Sequence, residues 1–196
     1  MAQKTKNAGS GAKRSVEQQI LDRFDATKVV GLRVYVENAA VQEKDATGEI
    51  TVEIPQLKGL LASAAVSRCL MPIRLRGHEI RAIRKIAGLT LAKLAERMDT
   101  KAAPETISRW ETGSQPIGGY AEKVLRLLIC EALHGDAQGV SYDASIIANL
   151  RVLDPWITNK NYEVPYLEFQ LVKMKERESG SVVDAWDRLA RVSQHR

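Results

Sequence analysis

The segment 104–112, PETISRWET, combines the residue types that a DNA-reading helix needs. Pro104 suits the first position of a helix, and Ile107 and Trp110 would form its buried side at helical spacing. The opposite side then presents a short polar face with one arginine, made of Glu105, Ser108, Arg109 and Thr112. Such a face can enter the major groove, where an arginine bonds a guanine edge in bidentate fashion. It would equally suit the solvated surface of a small helical domain, so spacing alone leaves both interpretations open.

Two further helices must position that face. Apolar residues at helical spacing predict a first helix near residues 80–87, which Gly88 ends. Thr90 can cap a second helix, in which the apolar residues of 91–98 follow the spacing i, i+3, i+4 and i+7. Three short helices joined by tight turns can bury only one shared core, which is the arrangement of a helix-turn-helix. The sequence therefore predicts this motif, with Gly113 ending its third helix.

A dense basic cluster precedes the first of these helices and continues through it. Residues 74–85 hold five cations against one carboxylate, Glu79; the cations are Arg74, Arg76, Arg81, Arg84 and Lys85. Such a cluster beside a polar helix can contact DNA phosphates, whereas a merely solvated helical face would have the same composition. The net charge of +5 and the pI of about 9.2 suit a polyanionic partner without specifying one.

The same residues carry a family resemblance. Gly88-Leu89-Thr90, Leu94-Ala95 and Thr106–Gly113 resemble the XRE (Cro/C1-type) regulators, in which a Leu-Ala pair of the second helix precedes a TISRWE-x-G pattern. The block Arg74–Arg81 is similar to the start of this domain in regulators related to zinc-binding antitoxins. Two departures stand out: the turn at 99–103 is longer than is usual in the family, and residues 15–72 lack the paired cysteines of those antitoxins.

The resemblance implies roles for individual residues. Glu105, Thr106 and Arg109 would read bases, and Glu105 would either accept a hydrogen bond from a cytosine amino group or repel wrong registers. Arg84 would pair with Glu111 as a structural ion pair and face phosphate only secondarily. The residues expected to contact phosphates, through the basic cluster or through helix starts, are Arg76, Arg81, Lys85, Thr90, Ser108 and Thr112.

The flanking regions predict small α/β segments. Residues 1–14 indicate a disordered basic arm, either a solvated tail or a phosphate contact. Residues 15–72 predict a helix capped by Ser15, an antiparallel hairpin with a turn at Thr47-Gly48, and a helix from Leu57. The expected hairpin strands contain residues 32–37 and 50–54. The C-terminal elements are expected to be a helix over 142–153, a strand over 166–174 and a last helix capped by Ser181.

Other function classes find no support in the sequence. Cys69 and Cys130 lie far apart without a CxxC pair, which argues against zinc and disulfides and favours reduced core thiols. The histidines stand alone, and neither a phosphate loop nor a dinucleotide motif occurs. No apolar run approaches the roughly 18 residues of a membrane span. We therefore expect a cytoplasmic, nucleoid-associated protein that is no enzyme and uses neither metal nor cofactor.

These inferences combine into a mainly α fold with small β elements. A central lambda-repressor-like helix-turn-helix domain over 73–134 is expected between an N-terminal module, 15–72, and a C-terminal segment, 135–196. We expect a sequence-specific regulator that binds an inverted repeat of double-stranded DNA as a homodimer. Either the apolar run at 124–129 or the C-terminal strand and helix would supply the dimer surface. The alternative is an antitoxin that neutralises a partner toxin and autoregulates. Partners would be DNA, a second copy, and a toxin or the transcription machinery.

Overall fold

Alternating hydrophobic residues place strands near both ends of the chain, and helical periodicities fill the middle. A computed structural model describes residues 17–45, 47–98, 103–175 and 181–189. Within these ranges the strands are β1 (Glu17–Ile20), β2 (Arg23–Asp25), β3 (Val34–Glu37), β4 (Val41–Lys44), β5 (Ile50–Glu53), β6 (Leu167–Lys175) and β7 (Val182–Arg188). The helices are α1 (Thr27–Val30), α2 (Leu57–Leu70), α3 (Gly77–Ile86), α4 (Leu91–Met98), α5 (Pro104–Thr112), α6 (Gly119–Leu133) and α7 (Ala144–Ala148), and Pro155–Ile157 form a 3-10 turn.

The larger sheet joins the two ends of the chain. Its strand order is β2-β3-β6-β7, and β3 runs parallel to β6 while the other neighbours are antiparallel. Val36 pairs with Phe169 at the centre of the β3–β6 contact, and both side chains are fully buried. The smaller sheet, β1-β4-β5, is antiparallel throughout. Its last strand, β5, exposes every residue.

Helix α2 is the central element of the core. Its residues from Ala62 to Cys69 are all buried, so this part of the helix is covered on every side. It packs on α6 and α3 and also on β6 and β7 of the larger sheet. On that side Trp186 is buried and donates its indole Nε1–H to the carbonyl of Gln56 at 3.0 Å. The helices and the larger sheet therefore share one core. No helix among the described residues has the length and apolar character to cross a membrane.

The expected fold class is wrong. The sequence predicts a mainly α fold with a central lambda-repressor-like helix-turn-helix domain between two α/β segments. The structure is α+β with two sheets, about 42% helix and 22% strand, and is not clearly a lambda-repressor helix-turn-helix. The physical reason is the β3–β6 pairing, because it makes the segments before and after the helices parts of one sheet. Helix α2 then packs the helices onto that sheet.

Three expected elements of the flanking regions differ from the structure. Residues 17–25 form β1 and β2 rather than a helix, and the expected cap Ser15 lies outside the described residues. Residues 182–188 form β7 rather than a helix, since pairing with β6 along the whole strand outweighs the local capping signal. The hairpin partner of β5 is β4 and not the strand around Val34, although Thr47 and Gly48 do lie in the turn.

Other expectations hold, hold only in part or lie outside the described residues. The strand predicted over 166–174 is β6, and the helix predicted from Leu57 is α2. The helix expected over 142–153 is wrong over most of its length, because only α7 is helical and Leu153 pairs with Ile73 in a β-bridge. The first turn of α7 is capped by Asp143 through the Ser145 backbone N–H at 2.8 Å. The basic arm at 1–14 and residues 99–102 of the long turn lie outside the described residues.

Candidate nucleic-acid interface

Helix α5 is anchored along one side. Ile107 and Trp110 are buried, and the helix packs against both α3 and α4. Pro104 occupies the first turn, and Gly113 ends the helix in the left-handed conformation at φ +76°. The predicted start, end and buried side of this helix are therefore confirmed.

The opposite side of α5 is open to solvent. Glu105, Arg109 and Thr112 are exposed, and Thr106 and Ser108 are half-buried. Within the described part of the chain, neither the Glu105 carboxylate nor the Arg109 guanidinium forms a hydrogen bond or ion pair. These two charged groups are four residues apart on one rigid helix, so both can meet a partner without first breaking an internal bond.

The hydroxyl of Thr112, unlike the charged groups of Glu105 and Arg109, forms hydrogen bonds at the end of α5. It donates to the carbonyl of Arg109 at 3.2 Å and lies 3.0 Å from the Ser114 hydroxyl. The Arg109 carbonyl also accepts from the backbone N–H of Gln115 at 3.2 Å. Because carbonyls of the last turn lack intrahelical partners, these bonds close the end of α5. The expected phosphate role of Thr112 competes with this capping role.

An ion pair ties the end of α3 to the end of α5. The Arg84 guanidinium donates from Nε to Oε1 of Glu111 at 2.5 Å and from Nη2 to Oε2 at 3.1 Å. Its Nη1 donates to the carbonyl of Leu89 at 2.7 Å, in the turn before α4. The two side chains are only 10% and 6% exposed. Arg84 thus links α3 to the end of α5 and to the turn before α4, and the predicted structural pair is present.

The backbones of α3 and α5 touch at Gly77. A Cβ atom on this residue would lie 2.5 Å from the carbonyl oxygen of Glu111 and 2.6 Å from that of Trp110. Only glycine fits such an approach without displacing one of the two helices. Together with the Arg84–Glu111 pair, this contact fixes the end of α5 against α3.

Thr90 lies at the start of α4, as predicted. Its hydroxyl oxygen accepts a hydrogen bond from the backbone N–H of Lys93 at 3.1 Å, which satisfies one of the free donors of the first turn. Thr90 and Lys93 are exposed, so the positive end of the α4 dipole faces solvent.

The basic cluster divides among three environments. Arg74 is half-buried and pairs with Asp154 at 3.3 Å, while Arg76 lies over the Trp156 ring at 3.9 Å from its centroid. Arg81 and Lys85 are exposed on α3. They line a depression of about 500 Å³ that Lys28 and His78 also border. The structure therefore keeps Arg81 and Lys85 available but gives Arg74 and Arg84 internal partners.

Sequence reasoning missed two buried arginines behind this region. Arg68 is bound by Glu79 at 2.6 Å and donates to the carbonyls of Ile73 and Arg74. Arg126 is bound by Glu122 at 2.7 Å and donates to the carbonyls of Cys69, Met71 and Ile73 at 2.6–2.7 Å. For Arg126 the signal was its i, i+4 spacing from Glu122 within the apolar run at 124–129. These bonds hold the segment that leads into α3 and thereby orient α3.

The two thiols also belong to this buried region. Cys69 on α2 and Cys130 on α6 are fully buried. A hydrogen bond with the Cys69 thiol, and then burial, raise the pKa of the Cys130 thiol above its ordinary range. Among the described residues no three histidines, cysteines or carboxylates are grouped as a metal site would require.

No protein-family model, curated protein or solved structure matches this chain.

Proposed function

We propose that the chain is a sequence-specific DNA-binding regulator that reads the major groove with α5. The observation that carries the proposal is that Glu105 and Arg109 are exposed and have no partner among the described residues, on a helix whose other side is fixed by Ile107 and Trp110. A base-reading side chain has to be free, while its helix has to be held in register. Arg109 then bonds a guanine edge, and Glu105 and Thr106 contact or exclude the neighbouring bases.

Phosphate contacts come from residues around α5. Thr90 and the free N–H groups at the start of α4 suit one phosphate. Arg81 and Lys85 supply exposed positive charge on α3. Ser108 is half-buried beside Arg109 and adds a hydroxyl donor. We leave Thr112 and Arg76 out of this set, because Thr112 caps α5 and Arg76 lines a cavity to which no residue of α5 contributes.

A single helix reads only a few base pairs, so the proposal includes a homodimer on an inverted repeat. The apolar run of α6 does not suit the dimer contact, because Leu125 and Ile129 are buried and their neighbours pack against the core. We place the contact at the start of β7, which forms one edge of the larger sheet and exposes 66% of Val182, because Gly139 lies against the strand backbone farther along, at Trp186. A strand at a sheet edge offers unpaired backbone groups to a second copy.

Selection from a random pool of duplexes tests the proposal, followed by gel-shift competition at several salt concentrations. We expect one short motif with two symmetric halves to be enriched, and its affinity to fall as salt rises. Bulk DNA should compete poorly for the protein. Equal affinity for every duplex would contradict the proposed sequence-specific function.

A second candidate function is an antitoxin-type protein that binds a partner toxin and uses α5 for autoregulation. The observation that favours it is β5, an edge strand whose Ile50 and Val52 are 57% and 37% exposed on one face. Partner proteins bind such edges by adding a strand. Co-expression with the product of an adjacent toxin-sized gene tests it. Growth protection that is lost in Ile50→Lys/Val52→Lys, while DNA binding persists, would support this candidate.

A further inference from the structure

A cavity of about 320 Å³ lies outside the proposed DNA-reading face. One wall is formed by residues from Thr27 to Arg33, and a second by Arg76 and the first turn of α3. The third wall contains Trp156 and the segment 162–164. Small-molecule sites in proteins typically have volumes of about 300–1,000 Å³, so the cavity is large enough for a small ligand.

Arg76 presents an unused positive charge to this cavity. It is exposed, and no carboxylate among the described residues pairs with its guanidinium. The guanidinium lies over the Trp156 ring, with Cζ 3.9 Å from the ring centroid. Stacking occupies the flat face of the group and leaves the N–H donors at its edge free to bind an oxyanion.

Arg33 brings a second guanidinium to the same cavity. Its Nη1 pairs with Oε2 of Glu163 at 2.8 Å, and its Cζ lies 4.3 Å from the centroid of the Tyr166 ring. Its Nε is buried and has no hydrogen-bond partner among the described residues. Because Nε is covered and Nη1 is bound to Glu163, Arg33 contributes to anion binding mainly through its positive charge.

The carboxylates around the cavity do not cancel this charge. Glu79 is already bound by buried Arg68 and accepts from the backbone N–H of Arg76 at 2.8 Å. The side chain of Glu163 is 73% exposed, so solvent screens it. His78 and the positive end of the α3 dipole face the same space. The balance favours an anion.

The aromatic wall is preformed. The Trp156 indole Nε1–H donates to the carbonyl of Tyr162 at 2.8 Å. The two rings meet edge to face, with centroids 5.6 Å apart and planes at 85°. A flat apolar ligand body can therefore contact these rings without first ordering them.

We propose that this cavity binds a small organic anion, with its carboxylate or phosphate group held by Arg33 and Arg76 and its flat body against Trp156 and Tyr162. The carboxylate and phosphate alternatives share the same oxyanion chemistry. The site uses none of the base-reading residues of α5, so it stands whether or not the chain binds DNA.

Calorimetric titration of the full chain with benzoate, phenyl phosphate and uncharged benzyl alcohol tests the proposal. We expect saturable binding of at least one anion, about tenfold or more tighter than benzyl alcohol. The anion that binds more tightly shows whether the cavity prefers a carboxylate or a phosphate head group. Arg76→Gln should weaken that binding about tenfold or more, because it removes the free charged donors.

Arg151→Gln is the matched control, since Arg151 is exposed and lies outside the cavity. It should bind the anions as the wild type does. Arg33→Gln should also weaken binding, and its melting temperature has to be compared with that of the wild type because Arg33 packs on Tyr166. Anions that bind no better than benzyl alcohol would overturn the proposal. Equal affinities for Arg76→Gln and the wild type, or equal losses for Arg76→Gln and Arg151→Gln, would overturn it as well.

Discussion

Arg84 and Glu111 form a two-pronged ion pair across the ends of α3 and α5, at 2.5 Å and 3.1 Å, with both side chains nearly buried. The Nη1 atom of Arg84 donates a hydrogen bond to the Leu89 carbonyl in the turn before α4. Because the charges are largely removed from water, each depends on the other to offset its desolvation. The pair therefore fixes the position of the helix that carries Arg109.

Removing either partner of this pair should destabilise the protein. Arg84→Ala and Glu111→Ala should each lower the free energy of unfolding by about 3–5 kcal/mol, because the remaining charge stays buried without its partner. The double variant should lose less than the sum of the two single losses. Urea unfolding of all four proteins measures the coupling.

The exposed pair Arg97 and Glu131 is the control for this cycle. Its charged atoms lie 3.6 Å apart and its side chains are 40% and 66% exposed, so the coupling should be about 0–1 kcal/mol. Strictly additive losses for Arg84 and Glu111 would mean that the pair contributes no cooperative stability.

The helices around α5 could be predicted because their signals are local. The signals for α5 all lie within its own segment. Pro104 marks the start, Gly113 marks the end, and Ile107 and Trp110 mark the buried side by their helical spacing. The same holds for the Thr90 cap. The family resemblance implies the Arg84–Glu111 pair, and the structure contains it.

The sheets could not be predicted in the same way, because their strands find partners far along the chain. Val36 pairs with Phe169, and nothing near either residue indicates the other. The spacing of Val182, Trp186 and Leu189 suits a helix, yet β6 offers hydrogen-bond partners that make the segment a strand. The anion cavity was missed for the same reason, since Arg33, Arg76 and Trp156 meet only in the folded chain.

Substitutions on α5 and α3 should affect DNA binding in different ways. Arg109→Ala should weaken binding to the selected motif by about 1–3 kcal/mol and relax discrimination at one base position. Arg81→Ala and Lys85→Ala should weaken binding to all sequences evenly and flatten the salt dependence. Fluorescence anisotropy with the motif and its single-base variants measures both effects.

Arg151→Ala controls for the loss of one positive charge, because Arg151 is exposed and remote in sequence from α3 and α5. It should leave the sequence preference unchanged. If Arg109→Ala retained the wild-type preference at every base, α5 would not be the reading element.

The buried thiol of Cys130 should make stability fall at alkaline pH. Its pKa is raised by the hydrogen bond with the Cys69 thiol and by burial. In the unfolded chain a cysteine ionises near pH 8.5. Above about pH 8.5 the unfolded chain loses the thiol proton and the folded chain keeps it. The contribution of the thiol to the free energy of unfolding is therefore complete below about pH 8.5 and falls by about 1.4 kcal/mol per pH unit above it.

The hydrogen bond from Cys130 lowers the pKa of the Cys69 thiol, so removing Cys130 alone would change both groups. Urea unfolding of the wild type and Cys69→Ala/Cys130→Ala between pH 8 and pH 10 therefore measures the contribution of the pair. The stability of the wild type should fall more steeply with pH than that of the variant. Parallel pH profiles would show that the thiol pair does not titrate differently in the folded and unfolded chains.

The backbone contact at Gly77 gives the sharpest test of how α3 and α5 are joined. In Gly77→Ala the new Cβ would lie 2.5 Å from the Glu111 carbonyl oxygen and 2.6 Å from that of Trp110. Both atoms belong to backbone and cannot rotate away, so the two helix ends must separate. That separation lengthens the Arg84–Glu111 bonds and moves the end of α5. We expect a loss of stability of about 1–3 kcal/mol, as for other overpacked sites, together with weaker binding to the selected DNA motif.

Gly119→Ala is the matched control, because Gly119 also begins a helix, α6, and a Cβ there would meet nothing within 4 Å. This variant should be neutral or slightly more stable than the wild type, since alanine restricts the unfolded chain. Thermal unfolding and DNA titration of both variants separate the close contact from a general effect of alanine at a helix start. If Gly77→Ala were as stable as Gly119→Ala and bound DNA equally well, α3 and α5 would not be in backbone contact at this point. The fixed position of Arg109 would then need another explanation.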